Sequence, residues 1–423
     1  MAKVIKVDPD AAPQGGISLL ERYRNAVSKH KDVRMRQEAT PDVQYATGFP
    51  VFDFLNGSKV TMQLPDGQVV EQYSVGIVDG SMCMFIGRSG CGKTTFAVQV
   101  AANIAKQFPK SEIFHDDIEG GIADGRRISL TGWSSEMIAR KYRIRDTGIT
   151  AENFYESIST IRDIKMTNYD DYSYRTGQYD IYGNEIIKLE PTLYILDSVA
   201  MLMPGQYTEE EELSGQMSST AAAKMNSMSF KRIVPMLKSA GIILILINHI
   251  NEDVNIGPFQ KPTTLSYLKP GETLPGGRTI GYLTNLLLRF DDNAKLKEKE
   301  GLAINGSVVD VTLVKSRTGR SGAKCSLVFE YERGFDPDLS MYLMLKNNDL
   351  IGGSGQYLYI KGHTEIKFAQ RDVRKLLASD LEFRRIFIET SVALLKSTVQ
   401  TADKSSTYSF DLSDDIMSML KVA

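Results

Sequence analysis

The feature that most constrains this chain is a glycine-rich octapeptide, Gly87-Arg88-Ser89-Gly90-Cys91-Gly92-Lys93-Thr94. An unbroken apolar run, residues 82–86, precedes it, and residues 95–105 follow at helical period. The octapeptide satisfies the pattern G-x-x-x-x-G-K-S/T, whose glycines let backbone N–H groups turn inward around a phosphate. The following helix directs its positive N-terminal dipole at the bound anion. A chance glycine-rich turn would not explain the strand and the helix on its two sides, so the sequence predicts a loop that binds ATP or GTP.

The predicted nucleotide contacts are the loop and the residue after it, namely Gly87, Arg88, Ser89, Gly90, Cys91, Gly92, Lys93, Thr94 and Thr95. We expect Lys93 to neutralise the β- and γ-phosphate oxygens and the Thr94 hydroxyl to coordinate Mg²⁺. Asp197 ends a second apolar run, residues 193–196, as the metal ligand of P-loop enzymes does. An aspartate at a strand end is commonplace by itself, but downstream of a complete phosphate loop it indicates a metal site.

Three carboxylates follow a probable second strand, at Asp116, Asp117 and Glu119. Hydrolysis needs one such group to orient and polarise the attacking water. Glu119, which precedes two glycines, is the predicted group. Asp116 and Asp117 could instead be solvated caps of the strand, and this alternative stays open.

Polar residues also end later strands. Asn248 and His249 follow an apolar run and could sense the γ-phosphate, passing its state into the loop beyond them. The four His residues show no ligand spacing, which argues against His249 as a metal ligand. Lys315 and Arg317 follow another strand. They are either an exposed basic turn or a cationic finger that reaches a phosphate, in the same chain or from a neighbouring subunit.

Apolar runs separated by helical segments indicate a parallel sheet covered by helices over residues 81–334. Before this core, a hairpin is predicted from the apolar residues 51–55 and the turn 65–67. Two segments interrupt the core: a polar and aromatic insertion at 165–190, and a long flexible loop at 251–281 that is rich in Pro and Gly. Helices are predicted over 17–36, 371–377 and 383–396, and residues from Thr401 onward are expected to be mobile.

Composition limits the class of protein. The 423 residues suggest two or three domains, and three scattered Cys match neither a disulfide framework nor a zinc site. No apolar run approaches a membrane span and the first residues show no signal peptide, so we expect a soluble intracellular protein. The net charge of −2 means that any nucleic-acid contact must come from local patches.

The ordered set of motifs resembles the RecA family of homologous-recombination ATPases. These motifs are the phosphate loop, an acidic D-x-E element, an L-D-S strand, an I-N-H strand and a V-K-S-R strand. The likeness is greatest to the phage branch, the UvsX-type recombinases, which share His at the position of His249. Residues 46–53, with Thr47-Gly48, and residues 332–337 are also similar to family segments. The resemblance covers residues 46–345.

This resemblance implies an α/β fold, with a RecA-type P-loop ATPase core over 46–334 and a mostly parallel central sheet. It also implies a small helical N-terminal segment for oligomerisation at 1–45, a small C-terminal α/β domain at 335–400 and a flexible acidic tail at 401–423. The implied activity is DNA-dependent hydrolysis of ATP with Mg²⁺. The implied function is a recombinase that forms helical filaments on single-stranded DNA and exchanges strands with a homologous duplex.

By position, the resemblance assigns Lys93 and Thr94 to the triphosphate and Mg²⁺, Glu119 to water activation and Asp197 to the metal. Asn248 and His249 would couple the nucleotide to DNA. Lys315 and Arg317 would contact the ATP of the adjacent protomer. The resemblance also implies mediator and single-strand-binding proteins as partners, and no association with a membrane. The implied location is the cytoplasm of a bacterium or of a phage-infected cell.

Two segments match the DNA-binding loops of the family, residues 204–217 and 251–281. The first contains four successive glutamates, 209–212, which should repel a phosphate backbone. The second segment is better suited to bind DNA, because it contains cations for the phosphates and aromatic rings that can stack on bases. These residues are Lys261, Lys269, Arg278, Phe259 and Tyr267.

Two alternatives remain. A hexameric helicase of related core fold would normally carry an N-terminal domain far larger than residues 1–45 provide. A P-loop ATPase that acts as an assembly or signalling module, without nucleic acid, is favoured by the near-zero net charge and the acidic first loop.

Overall fold

The computed structural model describes residues 42–64, 66–180, 183–205, 215–252, 265–276, 278–296 and 305–401. Several predicted features lie outside the described residues, namely the helix 17–36, the acidic run 209–212, Phe259, Lys261 and the tail beyond Thr401. Arg278 is described by its backbone alone.

The helices are α1 (Pro50–Leu55), α2 (Lys93–Ala105), α3 (Asp124–Thr131), α4 (Ser135–Lys141), α5 (Ala151–Thr167), α6 (Tyr169–Tyr172), α7 (Gly215–Ala240), α8 (Arg278–Leu283), α9 (Pro337–Asn347), α10 (Val373–Ser379) and α11 (Leu381–Thr398). The first strands are β1 (Gln44–Tyr45), β2 (Ser58–Gln63), β3 (Val69–Ser74), β4 (Ile77–Val78), β5 (Met82–Gly87), β6 (Ile113–Asp117), β7 (Tyr142–Arg145), β8 (Ser173–Tyr179), β9 (Glu185–Leu189) and β10 (Thr192–Asp197). The later strands are β11 (Ile242–His249), β12 (Asn251–Glu252), β13 (Glu272–Thr273), β14 (Leu286–Leu296), β15 (Gly306–Ser316), β16 (Lys324–Glu330), β17 (Gly334–Asp336), β18 (Ile351–Gly352), β19 (Leu358–Ile360), β20 (His363–Phe368) and β21 (Gln400–Thr401). None of the helices within these described residues is both long and apolar enough to cross a bilayer.

A nine-stranded sheet forms the centre of the fold, in the order β17-β16-β15-β14-β5-β11-β10-β6-β7. The strands from β14 to β7 pair in parallel, which confirms an α/β fold with a mostly parallel sheet. Not every strand of the sheet is parallel, because β15, which contains the apolar run 308–313, pairs antiparallel with β14 and β16. Residues 297–305 are too few for the crossover of a dozen or more residues that parallel pairing requires.

Apolar side chains cover both faces of the sheet. On one face, Phe96 of α2 is the centre of an aromatic cluster, with centroids 5.0–5.7 Å away on Phe49, Phe52, Phe85, Phe290 and Phe335. On the other face, Phe154 of α5 packs against Tyr194 of β10 and Phe230 of α7, at 5.5 and 5.8 Å. This double cover explains why the central strands read as unbroken apolar runs.

The predicted hairpin before the core lies later than expected. Residues 51–55 form α1 rather than a strand, and the hairpin consists of the antiparallel strands β2 and β3. Pro50 opens the helix, where its fixed φ is favourable. Buried Asp53 then accepts bonds from the Thr47 N–H, at 2.9 and 3.0 Å, and from the Thr47 hydroxyl, at 2.6 Å.

The insertion at 165–190 contains regular structure. It begins in the last turn of α5, where buried Lys165 donates to the Glu190 carbonyl at 2.6 Å. The antiparallel hairpin β8–β9 follows. Tyr174 of this hairpin donates to the Tyr45 hydroxyl at 3.0 Å, and Tyr45 donates to Asp79 at 3.2 Å. These bonds attach the hairpin to the strand preceding the core.

The segment 251–281 is not entirely loop. Residues 251–252 and 272–273 pair as β12 and β13, and α8 begins at Arg278. The predicted helices near 371–377 and 383–396 are confirmed as α10 and α11, with ends shifted by a few residues. With α9 and the sheet β18–β20, these helices enclose a third apolar cluster that includes Val328 of β16.

Candidate active site

The phosphate loop lies at the edge of the sheet where the central parallel strands end. Gly87 of β5 pairs with His249 of β11, and Asp197 of β10 pairs with both Ile247 and Asp117. The carboxyl ends of parallel strands share one edge, which is where α/β sheets bind ligands. Residues distant in sequence therefore meet beside the loop.

Two glycines give the phosphate loop its path. Gly90 and Gly92 have φ values of +78° and +86°, in the left-handed region that favours glycine. A Cβ at Gly92 would also lie 2.9 Å from the Phe335 ring. Between them, the buried Cys91 thiol donates to the Arg88 carbonyl at 2.9 Å. The loop thus adopts its turn through internal contacts.

Lys93, the first residue of α2, folds back into the phosphate loop. Only 4% of the residue is exposed, and its Nζ donates to the carbonyls of Gly87 and Arg88 at 3.0 and 2.8 Å. Burial lowers the pKa of the ammonium from its usual value. A buried cation in the concavity of a glycine loop is well placed to receive phosphate oxygens.

Thr94 and Asp197 form the predicted metal pair. The Thr94 hydroxyl donates to Asp197 Oδ2 at 2.6 Å, while the buried Oδ1 has no hydrogen-bond partner among the described residues. Burial raises the pKa of Asp197 to about 6, and the negative charges of Glu119 and Asp117 add to the effect. A cation beside this carboxylate would offset both the free-energy cost of burying its negative charge and the repulsion from Glu119 and Asp117. The pair therefore fits Mg²⁺, for which oxygen ligands are preferred.

Glu119 is held beside this pair by the Ser198 hydroxyl, and His249 is close by without a hydrogen bond from its Nε2 to any described residue. The Ser198 hydroxyl donates to Glu119 Oε1 at 2.6 Å, and His249 Nε2 lies 3.0 Å from the same oxygen. Burial is the main cause that lowers the pKa of His249, with the Lys93 charge acting in the same direction. The Glu119 carboxylate is 36% exposed, so it is fixed in direction and still reaches solvent.

The alternative that Asp116 or Asp117 is a solvated cap is wrong, because both are buried. Asp116 accepts from Arg145 at 2.9 and 2.7 Å and from the Tyr194 hydroxyl at 2.7 Å. Asp117 accepts from the backbone N–H of Gly121 and Ile122, at 3.2 and 3.1 Å. These bonds hold the two aspartates in the protein interior. Of the three carboxylates, Glu119 is the one that faces solvent.

Asn248 connects this edge of the sheet to the long segment beyond it. Its side chain is buried and donates to the Pro275 carbonyl at 2.8 Å. Arg88 of the phosphate loop also forms an ion pair with Glu252 of β12. The two contacts connect residues within the predicted second DNA loop, Glu252 and Pro275, to the phosphate loop and to the strand that ends in His249.

A third connection between this segment and the nucleotide site was not predicted from the sequence. Arg289 of β14 forms two bonds to Glu272, at 2.7 and 2.9 Å, and two to Asp291, at 2.9 and 3.0 Å. It also donates to the Tyr267 carbonyl at 2.7 Å. Arg289 pairs in register with Ile86, next to the phosphate loop, so this network anchors residues 265–276 beside the nucleotide site.

We expect Arg289→Met to destabilise the fold by about 3 kcal/mol, because it leaves Glu272 buried without its cation. The side chains of Arg289 and Glu272 are 8% and 3% exposed, so solvent cannot replace the lost partner. Urea unfolding measures the change. The control is Lys269→Ala, which removes a 66% exposed cation 3.5 Å from Asp291 and should cost less than about 1 kcal/mol. Equal losses in the two variants would contradict this role of the network.

Lys315 and Arg317 lie away from the phosphate loop of their own chain. Lys315 pairs with Leu287, which pairs with Met84, roughly 10 Å before β5 ends at Gly87. Because β15 runs antiparallel, Arg317 lies still farther from the loop. Lys315 donates to the carbonyls of Gly281 and Tyr282 in α8, at 3.2 and 2.7 Å, and Arg317 is exposed. In this conformation Lys315 is bonded to α8 rather than to the phosphate loop of its own chain.

The predicted DNA-binding residues are placed unevenly. Lys269 is exposed near Asp291, while Tyr267 is half-buried against the apolar core, where burial raises the pKa of its hydroxyl. Phe259, Lys261 and the Arg278 side chain lie outside what the structure describes.

Comparison with known proteins gives little further information. No family model and no curated protein sequence matches the chain. Among solved structures, a crystal structure of the RadB recombinase is similar to this chain, with 17% sequence identity. The match covers 62% of this chain and 92% of that chain, with a TM-score of 0.38. A likeness of this degree carries no argument about activity.

Proposed function

We propose that this chain is an ATP-dependent DNA recombinase of the RecA type, related to the phage UvsX-type branch. It would form helical filaments on single-stranded DNA and promote pairing and strand exchange with a homologous duplex. The observation that carries the proposal is the convergence at one sheet edge of the phosphate loop, the Thr94–Asp197 pair at 2.6 Å and the oriented Glu119. The order of sequence motifs that resembles the RecA family supports the choice among P-loop ATPases.

Each residue has a definite task in this proposal. The backbone from Gly87 to Thr95 and the Lys93 ammonium bind the triphosphate, while Thr94 and Asp197 hold Mg²⁺. The bound ion would neutralise charge that develops on the phosphate oxygens. Glu119 accepts a hydrogen bond from the attacking water and polarises it. The hydrogen bond from Ser198 keeps the Glu119 carboxylate directed at this position, and His249 lies beside it.

Three contacts support coupling between nucleotide and DNA. The bond from Asn248 to Pro275, the ion pair between Arg88 and Glu252, and the network of Arg289 all join the nucleotide site to parts of 251–281. A ligand that changes the position of His249 or Arg88 would act on this segment directly. In the proposal, residues 251–281 bind single-stranded DNA, and this binding acts through the three contacts on the nucleotide site that contains Glu119.

The proposal also assigns the parts of the chain. Residues 46–334 form the ATPase core, residues 1–45 serve assembly, and residues 335–400 form the C-terminal domain. Lys315 and Arg317, remote from their own phosphate loop, would complete the site of the neighbouring protomer. The filament would act in the cytoplasm of a bacterium or a phage-infected cell, with mediator and single-strand-binding proteins as partners.

The direct test measures ATP turnover with and without single-stranded DNA, together with negative-stain images. We expect turnover that depends on DNA, and helical filaments on the DNA. Lys93→Ala is the control, since it removes the phosphate-binding cation. Closed rings would favour a hexameric helicase, and turnover without any response to DNA would favour an assembly module.

Replacement of Lys261, Lys269 and Arg278 by Ala should weaken the salt dependence of binding to single-stranded DNA. The slope of log affinity against log salt should fall by up to about 0.7 for each lost phosphate contact. The measurement is a fluorescence titration over a range of salt concentrations. The control removes three exposed cations of the C-terminal region: Lys361, Lys367 and Arg371. An unchanged slope in the first variant would move DNA binding elsewhere, for example to the basic residues of 22–36.

A further inference from the structure

His115, Asp117 and Asp197 form a buried cluster behind the phosphate loop. Of these three side chains, only Asp197 has a role in the proposed hydrolysis. His115 and Asp117 stand two residues apart on β6, so they point to the same face of the sheet. Asp197 pairs in register with Asp117 on the neighbouring strand β10. The exposed fractions of His115, Asp117 and Asp197 are 1%, 2% and 4%.

The polar atoms of this cluster converge. One ligand atom from each of His115, Asp117 and Asp197 lies within 4.8 Å of the other two. His115 Nε2 and Asp197 Oδ1 are both buried and have no hydrogen-bond partner among the described residues. Buried polar atoms are almost always paired, so two unpaired atoms in one cluster point to a bound group.

The imidazole of His115 is oriented for coordination. Its Nδ1 lies 2.8 Å from the Tyr142 hydroxyl, so Nε2 is the nitrogen left to face a ligand. This arrangement, in which the second ring nitrogen bonds to a neighbouring group, is usual for metal-bound His. The Asp117 carboxylate is held by the backbone N–H groups of Gly121 and Ile122, which leave it further lone pairs.

We propose that His115, Asp117 and Asp197 bind a first-row transition-metal dication, in a site separate from the Mg²⁺ of the nucleotide. One imidazole and two carboxylates suit Mn²⁺, Co²⁺ or Zn²⁺, whereas Mg²⁺ takes oxygen ligands and retains water. The dication balances the two buried negative charges. Asp197 belongs to both sites, since Oδ2 is bonded to Thr94 and the unpaired Oδ1 is available to the new ion.

Two features of the surroundings bear on affinity. Metal–ligand bonds of about 2.0–2.2 Å require the ligand atoms to approach one another to about 3–3.5 Å, a closure of roughly an ångström. Arg127 lies over the Tyr142 ring at 5.3 Å, and its charge opposes a cation. Arg127 is itself paired with Asp124, which reduces this opposition.

The test uses the full chain, stripped of metal and free of nucleotide, so that no Mg²⁺ bound to nucleotide is present. Titration with Co²⁺ should give saturable visible absorption at one ion per chain, and pulsed EPR of bound Mn²⁺ should show coupling to an imidazole nitrogen. His115→Gln should weaken Co²⁺ binding by at least about 10-fold and remove the nitrogen coupling. The matched control is His249→Gln, because His249 also lies near Asp197 and Glu119. It should leave both signals intact.

The proposal is overturned if the wild-type chain shows no saturable binding, in which case a buried water is the better occupant. It is equally overturned if His115→Gln binds normally, or if His249→Gln is the variant that loses the ion. Circular dichroism checks that His115→Gln is folded. Should it not fold, Tyr142→Phe carries the test, with a loss of about 10- to 100-fold expected and unchanged affinity counting against the site. None of these readouts depends on ATP hydrolysis, so failure of the proposed function leaves them interpretable.

Discussion

The Glu119→Gln variant should bind ATP as the wild type does and hydrolyse it about 10²- to 10⁴-fold more slowly. The amide of Gln keeps the position and the hydrogen bond from Ser198, but it cannot act as a base toward the attacking water. Lys93, Thr94 and Asp197 are untouched, so nucleotide affinity and assembly should persist. Single-turnover hydrolysis on saturating DNA, with nucleotide binding measured separately, gives both quantities.

Two kinds of variant control this result. Glu112→Gln removes an exposed carboxylate at the opposite end of β6 and should leave turnover unchanged. Asp116→Asn weakens the buried pair with Arg145 and should lower stability more than it lowers turnover of the folded protein. If Asp116→Asn or Asp117→Asn abolished turnover while Glu119→Gln did not, the water-activating residue would have been misassigned.

Lys315→Ala should bind nucleotide nearly normally and hydrolyse it about 10³-fold more slowly, even on saturating DNA. Because Lys315 lies roughly 10 Å before the end of β5 in its own chain, the proposal has it serve a phosphate across an interface. Its bonds to the carbonyls of Gly281 and Tyr282 give it a structural task as well. Urea unfolding of Lys315→Ala therefore accompanies the kinetics, and Arg320→Ala, in the exposed turn that follows, is the control.

Mixing Lys315→Ala with Glu119→Gln separates the two tasks. Each variant lacks a different half of a composite site, so about a quarter of the interfaces in an equal random mixture would be intact. Partial recovery of turnover on mixing is the expected result. A mixture as inactive as its components, with co-assembly shown independently, would mean that Lys315 acts within its own chain or only in the structure. The recombinase proposal would then lose its mechanistic support.

The sequence by itself determined the features that depend on neighbouring residues. The phosphate loop needs glycines at positions of positive φ between a strand and a helix, and residues 82–105 contain all of these together. The α/β class follows from apolar runs that must be buried on both faces. Asp197 and Glu119 were predicted because each follows a strand, and parallel strands end at a common edge.

Only the tertiary structure decided which strand neighbours which, and in what direction. The run 308–313 is equally apolar in a parallel or an antiparallel pairing, so its pattern could not reveal that β15 is antiparallel. For the same reason the sequence could not place Lys315 at the opposite end of the sheet from Lys93. Arg289 and Glu272 are distant in sequence, and no local pattern marks them as partners. His115 was not singled out, because its closeness to Asp197 is created by the register of β6 and β10. Local pattern determines which elements form and which residues end them, whereas contacts between distant residues exist only once strand order and register place them together.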